Sequence, residues 1–238
     1  MIDSIELFGA IAVRPAIRPI ITAFEEATAL RVTSRWELNP TVKAQIEAGM
    51  PFDLVITNPK LIRDLTATGK VLAGSQAPFG RISMGVAART GSRAFPVNSV
   101  PAFQHALRNA KSIAYASEGT SGGYFTGLLE RLGLTAEVRP KLVPISGGQT
   151  ATSVARGEAE LAVVPVTSIL AAAPDVMLIG AFPEQLQSHI EFDLGISAAA
   201  ANADRARQLL AFLTSPDIDE RLAATGVERR PTQTLTEQ

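Results

Sequence analysis

The part of the sequence best suited to chemistry is a run of small and hydroxyl-bearing residues, S-E-G-T-S-G-G, at positions 117–123. It follows an apolar run typical of a strand, 112–116, and precedes a run typical of a helix, 124–132. A turn of this composition presents free backbone N–H groups at a helix N-terminus, where the helix dipole favours an anion. We therefore predict one wall of a ligand site here. Its predicted donors are Thr120, Ser121 and Gly122. The alternative is that the two hydroxyl residues only cap the helix.

Loops after the other predicted strands supply further candidates, because open α/β sheets bind ligands at the carboxyl ends of their strands. The loop 9–12 after the first strand contributes Ala10 and Ala12. The loop 146–150 is either a plain turn or a second source of donors, and the segment 165–168 begins with a proline. The candidates from these two segments are Gly147, Gly148, Gln149 and Pro165.

Arg14 and Asn39 each allow two interpretations. Arg14 lies at a predicted helix start, where a cation is unfavourable to the helix dipole, and a ligand carboxylate would compensate through a bidentate pair. The alternative for Arg14 is a solvated side chain or a structural ion pair. Asn39 precedes Pro40, which is typical of an N-cap followed by the first helical residue. Its amide could cap the helix and also contact a ligand.

Catalytic chemistry is the competing interpretation of the same region. Positions 119–123 match G-x-S-x-G, the nucleophile elbow of α/β-hydrolases, and Asp175 and His189 follow Ser121 in the order of a triad. The sequence has no histidine–glycine oxyanion segment, and glycine-rich turns match this short pattern by chance. A serine hydrolase stays as a remote alternative. Glu118 and His189 are the candidate acid–base residues of an enzyme.

Composition excludes several other classes of function. The chain has 22 basic and 23 acidic side chains, so its net charge of −1 creates no field that attracts nucleic acid or an anionic membrane. It has no cysteine and two histidines far apart, which predicts no metal site. Neither a phosphate-binding G-x-x-x-x-G-K-[ST] loop nor a dinucleotide fingerprint is present, so we predict no cofactor. No apolar run is long enough to span a membrane.

The elements that must position the candidates alternate between short apolar strands and amphipathic helices. Strands are predicted at 5–8, 31–36 and 54–56, each followed by a helix. Asn58-Pro59 opens the third helix, and Gly49 and Gly69 end the second and third. This βαβαβα order predicts a mostly parallel sheet with helices on both faces.

A second βα series begins near Arg81. Strands are predicted at 82–88, 112–116, 142–145 and 161–166, and the helix that follows the first has Ser99 as its cap. The C-terminal helices would return to the first series. We predict an α/β protein of two Rossmann-like lobes, residues 1–80 with 193–238 and residues 81–192. The strand ends of both lobes would then face one central cleft.

The order of several segments resembles a known family. F-G-A at 8–10 leads into the helix at 24–28, and Q-I-E-A-G at 45–49 is followed by F-D-L-V-I at 52–56. V-A-R-G-E-A-E-L at 154–161 and L-T-S-P at 213–216 continue the likeness. Together they are similar to the molybdate-type periplasmic substrate-binding proteins of ABC transporters, which have the type II binding-protein fold. The resemblance covers nearly the whole chain.

The resemblance also implies where the ligand residues stand. Ala12 and Asn39 occupy the positions of two serines that contact the oxyanion in such molybdate binders. Ser121 and Gly147 occupy the positions of two backbone donors, and Pro165 occupies that of a tyrosine. Two hydroxyls and a phenol are therefore replaced, which implies a branch of the family with an altered ligand site.

The expected function is the capture of a small anion, a molybdate-like oxyanion or an organic carboxylate, for an ABC importer. We expect a monomer that docks on an ABC permease. The alternative is an enzyme similar to aconitate isomerase, another relative, with Arg14 binding a tricarboxylate and Glu118 or His189 as base. The first residues lack the basic and apolar regions of a signal peptide. We expect a periplasmic protein whose leader is absent from this sequence, with a cytoplasmic protein as the alternative.

Overall fold

The structure is a computed structural model that describes residues 4–93, 95–146 and 148–230. Strands and helices alternate along the chain. The strands are β1 (Ser4–Ala10), β2 (Arg31–Glu37), β3 (Leu54–Thr57), β4 (Ala77–Ile82), β5 (Met84–Arg89), β6 (Ile113–Ala116), β7 (Leu142–Ile145), β8 (Leu161–Pro165), β9 (Val176–Ala181), β10 (Ile190–Ile196) and β11 (Val227–Glu228). The α-helices are α1 (Arg14–Thr28), α2 (Asn39–Glu47), α3 (Pro59–Ala67), α4 (Val100–Asn109), α5 (Thr120–Arg131), α6 (Thr135–Val138), α7 (Thr150–Ala155), α8 (Val166–Leu170), α9 (Ala203–Thr214) and α10 (Asp219–Ala224). Short 3-10 helices are found at Ile11–Val13, Arg139–Lys141, Glu184–Leu186 and Pro216–Ile218.

The chain divides into two compact units. Unit 1 contains the described residues up to Ala10, Pro19–Arg81, and those from Glu191 onward. Unit 2 contains Ile11–Arg18 and Ile82–Ile190. The lobe boundaries expected from the sequence, at 80 and 192, stay predictions.

The sheet of unit 1 has six strands in the order β11-β4-β10-β3-β1-β2. β1 is parallel to β2, with Ala10 beside Glu37, and parallel to β3, with Gly9 beside Ile56. β10 joins β3 in the antiparallel sense. The carboxyl ends of β1, β2 and β3 therefore lie at one edge of this sheet, where the loops that follow them begin.

Close packing at that edge explains the glycine of the F-G-A segment. A Cβ atom on Gly9 would lie 2.4 Å from the indole of Trp36 and 2.7 Å from Ile56, so only glycine fits there. The indole itself donates through Nε1 to Ser34 Oγ at 3.0 Å. Helices α2 and α3 cover this part of the sheet, with Ile46 and Ile62 buried against it. The Trp36 indole thus packs directly against Gly9, next to the end of β1.

The sheet of unit 2 has five strands in the order β7-β6-β8-β5-β9. β6 is parallel to both β7 and β8, whereas β5 is antiparallel to β8 and β9. Side chains of β5 alternate between two cores, as the period of a strand requires. Val86 packs with α4 and α5 on one face, and Ala87 packs with α7 and α8 on the other. Helices thus cover both faces of this sheet.

Several predicted boundaries are wrong. The apolar run 82–88 is not one strand: β4 ends at Ile82 and β5 starts at Met84, in different sheets. α5 starts at Thr120, not at 124, so the last four residues of the glycine-rich run are helical. β9 and β11 were not predicted, because no helix of the βα pattern follows them. In the described ranges, no helix is both long and apolar enough to cross a membrane.

Candidate functional site

The central loop of unit 2 follows β6. Ser117 extends the pairing of β6 with β7, since its N–H donates to the Ile145 carbonyl at 2.9 Å. The chain then turns at Gly119, whose φ of +85° lies in the left-handed region that favours glycine. Gly119 is the N-cap of α5, and it has no side chain to accept a hydrogen bond from the first turn. The two hydroxyl residues of the motif follow the cap, so neither is the cap itself.

Gly122 holds the first turn of α5 directly on the end of β6. A Cβ atom at this position would lie 1.8 Å from the carbonyl oxygen of Ala116, a distance that no side chain can adopt. Gly122 is buried, whereas Thr120 is exposed and Ser121 is half-buried. The close contact therefore fixes the helix start beside the strand end and leaves its first residues open to solvent.

The first N–H groups of α5 are available donors. The first backbone bond at this end of the helix runs from Gly123 N–H to the Gly119 carbonyl, at 3.4 Å. The N–H groups of Thr120, Ser121 and Gly122 donate to no other residue in the described parts of the chain. Three unpaired donors at the positive end of a helix dipole can bind an anion.

The loop after β7 lies beside the loop after β6, because the two strands are parallel neighbours. Gly148 is exposed with φ +74°, and the exposed Gln149 takes the N-cap position of α7 without a side-chain cap bond. Gln149 instead accepts a bond from Thr152 Oγ1 at 3.0 Å through its carbonyl. Gly147 lies outside the described residues.

The third loop of unit 2 joins β8 to α8. Pro165 is buried and takes the N-cap position of α8. A proline has neither an N–H nor a hydroxyl, so Pro165 cannot donate to an anion. The buried Thr167 donates through Oγ1 to the carbonyl of Ala12 at 3.4 Å, which attaches the 3-10 turn Ile11–Val13 to α8. Arg14 begins α1, is exposed, and makes no ion pair with any residue described.

Unit 1 contributes a different set of groups. Ala10 is buried at the end of β1. The prediction that Asn39 caps α2 is wrong, because Leu38 takes the N-cap position and Asn39 is already helical. The Asn39 amide oxygen instead accepts a hydrogen bond from Thr57 Oγ1 at 2.7 Å. Thr57 lies at the end of β3, 18 positions away, so no local signal in the sequence reveals this pair.

A buried carboxylate lies next to that pair. Asp193 of β10 is directly opposite Thr57 in the sheet. Its side chain accepts from Gln76 Nε2 at 2.7 Å and pairs with Arg230. Burial raises the pKa of Asp193 above its ordinary value, against the lowering effect of the Gln76 hydrogen bond and the Arg230 charge. No pattern in the sequence marks Thr57 and Asp193 as members of one polar cluster.

The catalytic candidates of unit 2 are not joined to one another. Glu118 is exposed in the loop after β6, and His189 is half-buried just before β10. No hydrogen bond connects Ser121, Asp175 and His189 among the described residues, and Asp175 is exposed. The arrangement of a serine-hydrolase triad is therefore absent from the described chain. The same ranges contain no cluster of three metal-binding side chains.

Two curated proteins resemble the chain over most of their length. Aconitate isomerase of a Pseudomonas species is 26% identical over 223 residues, which cover 91% of this chain and 84% of that protein. The molybdate-binding protein ModA of Escherichia coli is 27% identical over 204 residues, which cover 84% and 79%. One relative is thus named as an enzyme and the other as a binding protein.

The fold is that of a type II periplasmic binding protein. The periplasmic molybdate-binding protein of Azotobacter vinelandii superposes with a TM-score of 0.78 and 21% identity, covering 95% of this chain and all of that one. The family model for bacterial extracellular solute-binding proteins matches residues 5–228, which is nearly the full sequence. The chain therefore belongs to the bacterial extracellular solute-binding proteins.

Proposed function

We propose that the protein is a receptor for a small anion and delivers it to an ABC importer. The observation that carries this proposal is the start of α5, where three backbone N–H groups have no acceptor among the described residues. Gly119 caps the helix without a side chain, and Gly122 fixes it on the end of β6. Such donors need no rearrangement to accept a negative oxygen.

Further proposed donors come from loops and helix starts within each unit. In unit 2 they are the exposed Gly148 and Gln149 and the guanidinium of Arg14, and in unit 1 the Asn39 amide. Arg14 suits a carboxylate because its planar fork forms bidentate pairs. Ala12 and Pro165 replace a hydroxyl and a phenol of molybdate binders, which favours a ligand other than molybdate. Organic di- and tricarboxylates are the ligand class proposed first.

A thermal-shift panel tests the proposal. Molybdate, tungstate, sulfate, phosphate, and di- and tricarboxylates are each added at a concentration series. A ligand that binds only the native state raises the melting temperature, by an amount that grows with its concentration. We expect at least one carboxylate to do so. A panel in which no anion changes the melting temperature contradicts the receptor.

One variant tests the α5 donors directly. Thr120→Pro removes one N–H at the first helical position, where proline is well tolerated. Loss of one charge-assisted hydrogen bond costs about 1.5–3 kcal/mol, which is a loss of affinity of about tenfold or more. Thr120→Ala keeps the N–H and should bind as the parent does. Equal affinities of the two variants, measured by calorimetry, would argue against the role of this helix start.

An isomerase acting on a tricarboxylate is the second candidate, since the chain resembles aconitate isomerase over 91% of its length. Such an enzyme needs a base near the bound carboxylate, and Glu118 and His189 are the titratable candidates. Conversion of trans-aconitate to the cis isomer, followed by chromatography, tests this. Turnover that disappears in Glu118→Gln or His189→Gln, but not in Glu130→Gln of α5, would assign the enzyme. Binding of trans-aconitate without turnover would assign the receptor.

We also propose that the protein acts outside the cytoplasm, as a monomer that docks on a membrane permease. Membership of an extracellular family supports this location. Fractionation of the native cells should place the protein with periplasmic markers, and light scattering should give the monomer mass of 25.1 kDa. A stable dimer, or recovery with cytoplasmic markers alone, would contradict these two statements.

A further inference from the structure

Thr57 and Asn39 form a hydrogen-bonded pair, and the two residues differ in how deeply they are buried. Thr57 is fully buried at the end of β3, and its hydroxyl donates to Asn39 Oδ1 at 2.7 Å. Asn39 is half-buried at the start of α2. The threonine is therefore held by its surroundings, and the asparagine side chain takes its orientation from it.

The neighbouring carboxylate does not compete for the threonine. Asp193 is directly opposite Thr57, so an unpaired Asp193 would be the stronger acceptor for the Thr57 hydroxyl. Its oxygens are occupied by Gln76 Nε2, at 2.7 Å, and by Arg230. Arg230 is also held by Glu191 at 2.9 Å. This ion-pair network leaves Asn39 as the acceptor of the Thr57 hydroxyl.

The bond from Thr57 decides what Asn39 can offer to a ligand. With its oxygen engaged, the amide directs its Nδ2 group away from Thr57. That group donates to no other residue of the described chain and is not among the enclosed side-chain atoms without partners. Asn39 thus presents only hydrogen-bond donors to solvent.

We infer that Thr57 is a positioning residue that makes the Asn39 contact selective for oxygens that only accept hydrogen bonds. This inference rests on the proposed anion receptor and specifies its ligand class. Carboxylates, sulfate and molybdate fit, because every exposed oxygen is an acceptor. Hydrogenphosphate fits less well, because its hydroxyl finds no acceptor at Asn39.

Calorimetric titrations at pH 8 with trans-aconitate, sulfate, molybdate and inorganic phosphate test the selectivity. The parent protein should bind one of the first three at least about tenfold more tightly than phosphate. Thr57→Val should lower the affinity for that anion about five- to tenfold, since the Asn39 amide can then rotate. The ratio of this affinity to the affinity for phosphate should also become smaller. Thr57→Ser should restore both values. Asn39→Asp, which still accepts from Thr57 but offers no donor, should lose the anion altogether.

Thr66→Val is the matched control. Thr66 lies in α3, and its hydroxyl donates to the Ile62 carbonyl at 2.8 Å within that helix. The affinities of the Thr66→Val variant for the four anions should equal those of the parent protein. If Thr57→Val keeps the parental affinities and the parental preference over phosphate, the inference is overturned while the proposed receptor stands. The same holds if the parent protein binds phosphate most tightly. A parent that binds none of the four probes would overturn the inference, and a thermal-shift panel in which no anion changes the melting temperature would overturn the receptor as well.

A second measurement needs no ligand. The side-chain amide of Asn39 gives a pair of signals in a nitrogen–proton NMR spectrum. Thr57→Val should shift them strongly, whereas Thr57→Ser and Thr66→Val should leave them near the parental positions. Unmoved signals in Thr57→Val would show that the threonine does not orient the amide, and would overturn the inference.

Discussion

At the scale of single residues, the start of α5 depends on a contact too close for any side chain. Gly122 is the clearest case, because a Cβ atom there would lie 1.8 Å from the backbone oxygen of Ala116. The oxygen belongs to the backbone and a Cβ atom is bonded directly to it, so relieving the contact would require a shift of the backbone itself. The next residue, Gly123, has open space at the same position. The two adjacent glycines of the motif therefore have different reasons to be present.

This difference gives a paired prediction. Gly122→Ala should lower the free energy of unfolding by about 2 kcal/mol or more, through overpacking at the end of β6. The melting temperature should fall by about 4–8 °C. Gly123→Ala places alanine in an open helical position and should be neutral or stabilising by up to about 1 kcal/mol. Urea denaturation of both variants measures the contrast. Equal stabilities would mean that the close contact is absent.

The pKa of Asp193 gives a second prediction. Burial raises it, so the native state holds a proton on Asp193 more readily than the unfolded chain does. The contribution of this group to stability therefore falls as pH rises from 3.8 through the raised pKa, and is regained on acidification. Carboxyl NMR should show Asp193 titrating above 3.8. Asp64 should titrate below it, because a hydrogen bond from Lys60 lowers its pKa.

The control for this pH dependence is Asp193→Asn. That variant cannot ionise at this position, so the stability difference between it and the parent should vary with pH only in the window above 3.8. A constant difference across that window would contradict the raised pKa.

The residue scale also shows what a sequence hides. The start of α5 is predictable because strand, small residues and helix are adjacent in the chain. The bond between Thr57 and Asn39 is not, because it joins the last residue of β3 to the first residue of α2 and replaces the local cap that Asn39 was expected to provide. Asp193 appears in the sequence as one acidic residue in a strand, and only its burial opposite Thr57 gives it a role.

At the scale of elements, the helix starts separate into two groups. α3 and α4 begin at side-chain caps, as predicted: Asn58 accepts from Leu61 N–H at 2.8 Å, and Ser99 accepts from Ala102 N–H at 3.3 Å. α5 and α7 begin without side-chain caps, at Gly119 and Gln149. α2, α6, α8, α9 and α10 also lack a side-chain cap bond, so an uncapped start does not by itself mark the proposed site. At α5, however, it leaves the first N–H groups available.

The side-chain cap at the start of α3 leads to a prediction about stability. Asn58→Ala removes the acceptor of the Leu61 N–H and should lower the free energy of unfolding by about 1 kcal/mol. Asn58→Asp keeps an acceptor of the same length and favours the positive helix end, so it should stay within a few tenths of a kcal/mol of the parent. Chemical denaturation compares the three proteins. A neutral alanine variant would mean that another group satisfies the helix start.

Periodicity predicted the βα units but not the strands outside them. β1, β2, β3, β6, β7 and β8 were found because a helix follows each strand. β5 was merged with the end of β4, since a single residue separates two apolar segments that join different sheets. Likewise, glycines at 122 and 123 argue against a helix by propensity, yet packing on Ala116 places them in α5.

At the scale of the whole molecule, the order of segments carried more information than any one motif. The two-lobed type II fold followed from a series of moderately specific segments in the order of the family, and the structural comparison confirms it. The chemistry of the ligand did not follow, because the side chains at the predicted ligand positions differ from those that the resemblance to molybdate binders implies. Backbone donors keep the ability to bind an anion when side chains change, which separates fold from specificity.

The overall charge gives a prediction for the whole chain. With 22 basic and 23 acidic residues, the protein should pass through a heparin column at about 0.1 M NaCl without retention. A basic protein of similar size on the same column is the control. Retention that persists well above that salt concentration would reveal a basic surface that the net charge conceals, and would reopen nucleic acid as a partner.

The position of the Trp36 indole against Gly9 of β1 has a practical consequence. Trp36 is the only tryptophan of the chain, and it lies over Gly9 and three positions before Asn39. Its emission therefore comes from a single, known place next to proposed ligand contacts. Rapid mixing with an anion, recorded through this fluorescence, would give association and dissociation rates without any attached dye. Trp36→Phe would supply the dark reference for such traces.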